Sequence, residues 1–297
     1  MSHDHSPGNF NRAFAIGVAL NAIFVIVEAS YGVLADSVAL LADAGHNLSD
    51  VAGLLLAWGG AALASRAPTH NRTYGFRRVS IFAALTSGCI LLVAVGVITW
   101  ESIGRIISPQ PIHGFTVVVV AAIGVVINSF SALMFMSGRH HDLNIRGAFL
   151  HLAADAGVSL GVVLAGLGIL FFDLLWLDPL ISLGIAAVIF ASTWGLLRES
   201  LNLSLDAVPA HIDPHAINAF LKGCDGVDAV HDVHIWAIST KEVALTAHLV
   251  MSKSAGDQFL AYVCGELESR FGIHHSTLQM ESHGYAEICM QATPDSL

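Results

Sequence analysis

Two pairs of ionisable residues at the same spacing lie in segments that otherwise suggest lipid. His46 and Asp50 fall within "SVALLADAGHNLSDVAGLLLAWGGAALA", and His151 and Asp155 within "FLHLAADAGVSLGVVLAGLGIL". On a helix, positions i and i+4 sit about 40° apart and about 6 Å along the axis, so each pair offers one imidazole and one carboxylate to the same side. Two such pairs facing each other could close around one ion. Ionisable groups in lipid are costly and tend to mark ion pathways, although a helix-to-helix hydrogen bond is the plainer reading of either pair alone. Two imidazoles and two carboxylates suit tetrahedral Zn(II), with no cluster of soft sulfur to favour copper. Cd(II), Co(II) and Ni(II) accept the same donors, whereas an all-carboxylate set would indicate magnesium or calcium.

The elements that must position these residues are membrane spans. The 297 residues are 55% hydrophobic and 12% charged, with a mean hydropathy of +0.68, far more apolar than an ordinary soluble domain. Six runs approach or exceed the roughly 20 apolar residues needed to cross a bilayer: 13–34, 38–64, 79–104, 114–137, 145–172 and 177–198. The first is too long and too polar, with Asn21 and Glu28, to be a cleaved signal peptide. Residues 1–205 carry 9 Lys and Arg against 11 Asp and Glu, while residues 206–297 carry 4 against 12. A transmembrane domain (1–205) is therefore expected to precede an acidic, water-exposed domain (206–297). Arg12, Arg66, Arg72, Arg77, Arg78, Arg139, Arg146 and Arg198 fall on one side of the membrane and only Arg105 on the other, which places both termini in the cytoplasm. The second and fifth spans then run antiparallel, with their four candidate ligands in the middle third of a ~30 Å core. Cys89, Cys224, Cys264 and Cys289 show no CxxC spacing and read as small core residues.

The tail reads as helix, strand, strand, helix, strand. Asp213 before Pro214 signals the start of a helix. "AVHDVHIWAI" and "VALTAHLV" flank "STKE" as a hairpin, "DQFLAYVCGELESRF" is amphipathic, and "STLQME" forms the last strand. With Thr240 and Lys241 at the centre of the turn, His231 falls opposite Val250 and diagonal to His248, roughly 7 to 8 Å apart at Cβ. Two imidazoles could span that gap to one ion. Neither a catalytic triad nor a nucleotide-binding loop is visible, and no nucleic acid partner is expected.

The segments "SVALLADAGHNLSD", "RTYGFRR", "HLAAD", "HDVHIWAIST", "TAHLV" and "QMES" together resemble the cation diffusion facilitators, in particular their zinc-transporting branch of bacterial zinc, cobalt and cadmium efflux proteins. The resemblance covers almost the whole chain. It implies an α-helical membrane protein with six transmembrane helices and a small ferredoxin-like α/β (αββαβ) cytoplasmic domain, working as a homodimer in the lipid bilayer and exporting zinc in exchange for protons. It implies a secondary active transporter rather than an enzyme, in the inner (plasma) membrane if the source is bacterial. His46, Asp50, His151 and Asp155 match the family's intramembrane site, and Glu281 completes its cytoplasmic site with His231 and His248. His70 resembles a loop position where some relatives bind a further metal, but the accompanying Asp and second His are missing here.

Metal binding requires neutral imidazole and ionised carboxylate, so a site of this composition exchanges metal for protons. His46 and His151, with an ordinary pKa of about 6.5, would titrate in the working range. Two other classes share some of these features: a metal-gated channel or sensor would conduct without a proton gradient, and an intramembrane zinc hydrolase would need an open coordination position. Two further acids remain. Asp43 precedes Asp50 by seven residues, about 20° away in projection and roughly 10 Å nearer the outer surface, and Glu28 falls at a similar depth on the first span. They are expected to line a wet outer vestibule, the alternative being hydrogen bonds to neighbouring helices.

Overall fold

The computed structural model describes residues 8–64, 66–135, 143–252 and 256–289. Six long helices come first: α1 (Gly8–Leu34), α2 (Val38–Ala64), α3 (Val79–Ile107), α4 (Gly114–Phe135), α5 (Leu143–Phe172) and α6 (Leu177–Ser204). Their positions agree with the apolar runs, the largest difference being α6, which continues to Ser204 past the expected end at 198. In hydrocarbon every backbone amide must find its partner within the chain, and the helix does this segment by segment. Among the described residues four stretches are long and apolar enough to cross a membrane: Val79–Ile107, Gly114–Leu133, Phe149–Phe172 and Leu177–Ser204, with Asn21–Leu34 a shorter apolar stretch. Side chains such as Ile90, Val97, Phe115, Val126, Leu164 and Phe171 are exposed. So much bare apolar surface suits lipid rather than water.

The chain divides into two compact units, one of Met1–Leu55 and Ser87–Trp194, the other of Leu56–Thr86 and Gly195–Leu297. In the first, Ala39, Leu40 and Ala42 of α2 pack with Val95 of α3, Val117 and Ala121 of α4, Val162 of α5 and Ile185 of α6. Small residues set the spacing. A Cβ on Gly166 of α5 would come within 2.8 Å of a Val118 methyl and 3.2 Å of the Val118 backbone nitrogen on α4, so glycine is what allows these two helices to approach. The start of α2 is held by a distant acid: the Asp178 carboxylate, on the first turn of α6, accepts from the backbone of Val38 at 2.8 Å and Ala39 at 3.3 Å and from the Ser37 hydroxyl. An α-helix leaves its first amides unpaired, and here a carboxylate from another helix satisfies two of them.

The second unit contains α7 (Pro214–Lys222), β1 (Val227–Ala237), β2 (Val243–Met251), α8 (Asp257–Phe271), β3 (Ile273–Glu281) and a single turn, α9 (His283–Ala286). As expected, Asp213 caps α7, accepting from the amides of His215 and Ala216. The sheet order is β1-β2-β3, with β1 and β2 antiparallel and β3 parallel to β2 after the α8 crossover. Gly272, at φ 69°, turns the chain from α8 into β3, a left-handed conformation that glycine adopts without steric cost. Ile217, Leu221, Leu245, Leu249, Val263 and Leu267 form the core between helices and sheet. The same unit includes the α2–α3 loop and helix ends: Arg77 pairs with Glu242 at 2.9 Å, Arg78 pairs with Asp206, and Ile81 packs with Leu203 and Ala237.

The hairpin register differs from expectation. The Ile238 amide donates to the Glu242 carbonyl and Ala237 faces Val243, so Ser239–Lys241 form a three-residue loop. A bulge between His231 and His234, with Asp232 at φ 51°, then shifts the ladder by one more residue. His231 therefore lies directly opposite His248, not opposite Val250. Of the cysteines expected as core residues, Cys224 packs against the core of this unit, whereas Cys89 is exposed and Cys264 and Cys289 are half-buried; all four are free thiols.

Candidate metal centres

The first centre lies between α2 and α5. Asp155 is 3% exposed, and its carboxylate is shared: Oδ1 lies 3.1 Å from His46 Nε2 and Oδ2 lies 3.7 Å from His151 Nε2. The two imidazole rings are edge-on, 6.3 Å apart at their centroids. The spacing that placed His151 and Asp155 on one helical face thus meets His46 from the other helix. Asp50 belongs to α2, but its side chain lies outside the described residues. Three of the four expected donors are thus linked through the Asp155 carboxylate.

Glu28 and Asp43 are both fully buried. Rather than lining an open vestibule, they are joined in a network across α1, α2 and α5. The Asn47 amide donates to Glu28 at 3.1 Å and to Asp43 at 3.5 Å, and the Ser159 hydroxyl donates to Asp43 at 2.8 Å. Among the described residues, Glu28 Oε1 has no hydrogen-bond partner. Neither Asn47 nor Ser159 stands out in the sequence as a functional residue, yet their spacing is a signal: Asn47 follows Asp43 by four residues and Ser159 follows Asp155 by four, so both continue the polar stripes of their helices.

The second centre is built by all three strands. His231 on β1 and His248 on β2 face each other with rings 4.9 Å apart. Glu281, at the end of β3, places one carboxylate oxygen 3.0 Å from His231 Nε2 and the other 2.7 Å from His248 Nδ1. Burial pushes the Glu281 carboxyl up, but hydrogen bonds from His231, His248 and Gln279 outweigh it and hold the group below its ordinary value. His231 Nδ1 is buried without a partner among the described residues. A buried carboxylate between two imidazoles is a donor set that fits a divalent metal. His234 points elsewhere, towards Asp232 at 3.0 Å, and is mostly exposed. Cys289, expected as a packing residue, lies within this group: donor atoms of His231, His248, Glu281 and Cys289 are all within 4.8 Å of one another.

The remaining histidines do less. His70 is exposed in the turn between Thr69 and Arg72 and joins no metal-type group among the described residues. His275 makes an edge contact with Tyr74, and His283 pairs with Asp228 at 3.0 Å. His3, His5, His140 and His141 lie outside the described residues.

Residues 14–203 match the profile of the cation efflux transmembrane domain. The chain belongs to the cation efflux family. A second profile, the cytoplasmic domain of cation efflux proteins, matches residues 209–283. This cation efflux protein is 34% identical over 97% of its length, and 96% of the relative, to the "Cadmium, cobalt and zinc/H(+)-K(+) antiporter" of Bacillus subtilis. It is 35% identical over 94% of its length, and 89% of the relative, to the "Metal cation efflux system protein CzcD" of Cupriavidus metallidurans. A solved metal-bound C-terminal domain of the CzcD transporter matches 24% of this chain and 99% of its own, at 29% identity and a TM-score of 0.22. The cation efflux protein is thus a membrane transporter rather than an enzyme.

Proposed function

We propose that the protein exports Zn(II) from the cytoplasm in exchange for protons, by alternating access at the centre formed by His46, Asp50, His151 and Asp155. The observation that carries this reading is the Asp155 carboxylate shared between His46 and His151 on two different helices. With protons bound, an imidazolium beside this carboxylate forms a charge-assisted pair. With metal bound, the same nitrogen and oxygen lone pairs are directed at the ion instead. The two occupants compete for the same atoms, and that competition couples their movements. Cd(II) and Co(II), named for the relatives, accept the same donors and are expected as alternative substrates, with Ni(II) a further one.

In this reading the protein is a homodimer of six-span protomers, with residues 1–205 in the bilayer and 206–297 in the cytoplasm. The bias of eight arginines to one supports cytoplasmic termini and, in a bacterium, the plasma membrane. Glu28 and Asp43 are assigned to the outer pathway, and the Asn47 and Ser159 hydrogen bonds link them across α1, α2 and α5. His231, His248 and Glu281 form a cytoplasmic metal site that senses rather than conducts.

The test is zinc flux in proteoliposomes with and without an imposed pH gradient. Flux that rises with the gradient and is matched by counter-movement of protons supports an antiporter. Equal flux with no gradient would instead identify a metal-gated channel.

A further inference from the structure

We propose that Cys289 is a fourth ligand of the cytoplasmic site, a thiolate that makes the site favour soft cations and lets metal fasten the chain beyond β3 onto the sheet. The inference rests on metal binding by His231, His248 and Glu281. The backbone path carries the argument first. After Glu281 the chain makes the α9 turn, where His283 is tied to Asp228 at 3.0 Å, and returns so that Cys289 Sγ lies 3.9 Å from His248 Nδ1. That is the nitrogen that also faces Glu281, at 2.7 Å.

The opposite edge of the ring agrees. His248 Nε2 faces Asp232 Oδ2 at 3.6 Å. When a metal displaces the Nδ1 proton that Glu281 accepts here, Asp232 offers an acceptor for a proton on Nε2, which frees the Nδ1 lone pair for an ion held between Glu281 and Cys289. In a tetrahedral zinc site, with bonds of about 2.0 Å to nitrogen and 2.3 Å to sulfur, neighbouring donors are about 3.5 Å apart. The observed group, within 4.8 Å, therefore needs a contraction of about 1 Å, which side-chain rotation supplies. The other half-buried thiols have separate surroundings: Cys224 donates to the Phe220 carbonyl and Cys264 accepts from the Ser276 hydroxyl.

On binding, the S–H bond of Cys289 breaks, its proton passes to solvent, and a sulfur–metal bond forms without change of oxidation state. One thiolate among harder donors raises affinity for Cd(II) more than for Zn(II). Because Cys289 follows the last strand, occupancy also orders residues 282–289 against β2.

The full-length protein in detergent, carrying Asp155→Ala to disable the first centre, is loaded with Co(II) and its absorption spectrum recorded. Expected are visible d–d bands together with a near-ultraviolet thiolate-to-cobalt charge-transfer band. Cys289→Ser should remove the charge-transfer band and keep the d–d bands, while His231→Ala with His248→Ala should remove both. Visible bands that depend on the two histidines but come with no thiolate band would overturn the Cys289 assignment and leave the histidine site standing. Visible bands unaffected by the histidine pair would overturn the site itself. A second measurement needs no variant: Cd(II) should slow maleimide labelling of Cys289, located by peptide mass, by roughly tenfold or more. Unchanged labelling at saturating Cd(II) would also overturn the assignment.

Discussion

Asp155 links two imidazoles from different helices while almost wholly buried. Asp155→Ala removes one ligand and the partner of both rings, and zinc flux into inverted vesicles at matched protein level should fall by about 100-fold or more. Flux within a few-fold of normal would remove Asp155 from the site. Glu28→Gln with Asp43→Asn is a gentler change, because an amide still accepts from Asn47 and Ser159. It should leave Zn(II) binding at the first centre intact, slow exchange, and alter its dependence on outside pH; rates unchanged across outside pH values would take the pair out of the pathway. Glu281 gives a third prediction. Its folded pKa is depressed, so in the metal-free protein its ionised form stabilises the domain above the ordinary carboxylate range. That contribution is lost as pH falls through the folded value. Hydrogen-exchange protection of β3 should therefore decline below about pH 4.5, and Glu281→Gln should flatten the decline.

At the scale of elements, the ligands on α2 are only as well placed as the helix that carries them. Its first amides are satisfied by Asp178, 140 residues away in sequence. Asp178→Ala leaves two buried N–H groups unpaired, at a cost of about 1–3 kcal/mol, and hydrogen exchange at residues 38–40 should quicken while the α4–α5 contact is unaffected. Asp178→Asn, which can still accept, should restore part of the protection. Where α5 meets α4, Gly166→Val would place a side chain against Val118, whose methyl and backbone nitrogen lie only 2.8 and 3.2 Å from where the new Cβ would stand. The helices must part, lowering the thermal midpoint in detergent by an amount equivalent to about 1–3 kcal/mol. Val118→Ala should recover only some of this, since the backbone nitrogen stays in place.

Across the whole molecule, the sheet and the candidate metal site it carries are expected to depend on each other. β1, β2 and β3 contribute one donor each, so an ion bound there ties all three strands together. At a free metal concentration 100 times the dissociation constant, binding stabilises the folded state by about 2.7 kcal/mol. Chelation should thus raise hydrogen-exchange rates in β1 and β3 while leaving the helices α3 to α6 unchanged. Faster exchange confined to the helices would place the stabilising ion at the first centre instead.

The local patterns were already legible in the chain. Apolar runs located the six helices, the Asp213–Pro214 pair marked the start of α7, and the i, i+4 spacing put His151 and Asp155 on one face, because each depends only on neighbours a turn or less away. Whatever depends on how distant segments meet was decided by the tertiary structure. No local periodicity announces that Asp232 takes a left-handed conformation, yet that bulge, added to the three-residue loop, moves His231 from Val250 to His248. Nothing near Cys289 in the chain shows that it returns to His248, 41 positions earlier, and Asn47 shares its amide between Glu28 and Asp43 only because α1 packs beside α2. Residue spacing determines which side chains share a face of one helix or strand; the turns, bulges and close helix approaches between those elements determine which faces meet.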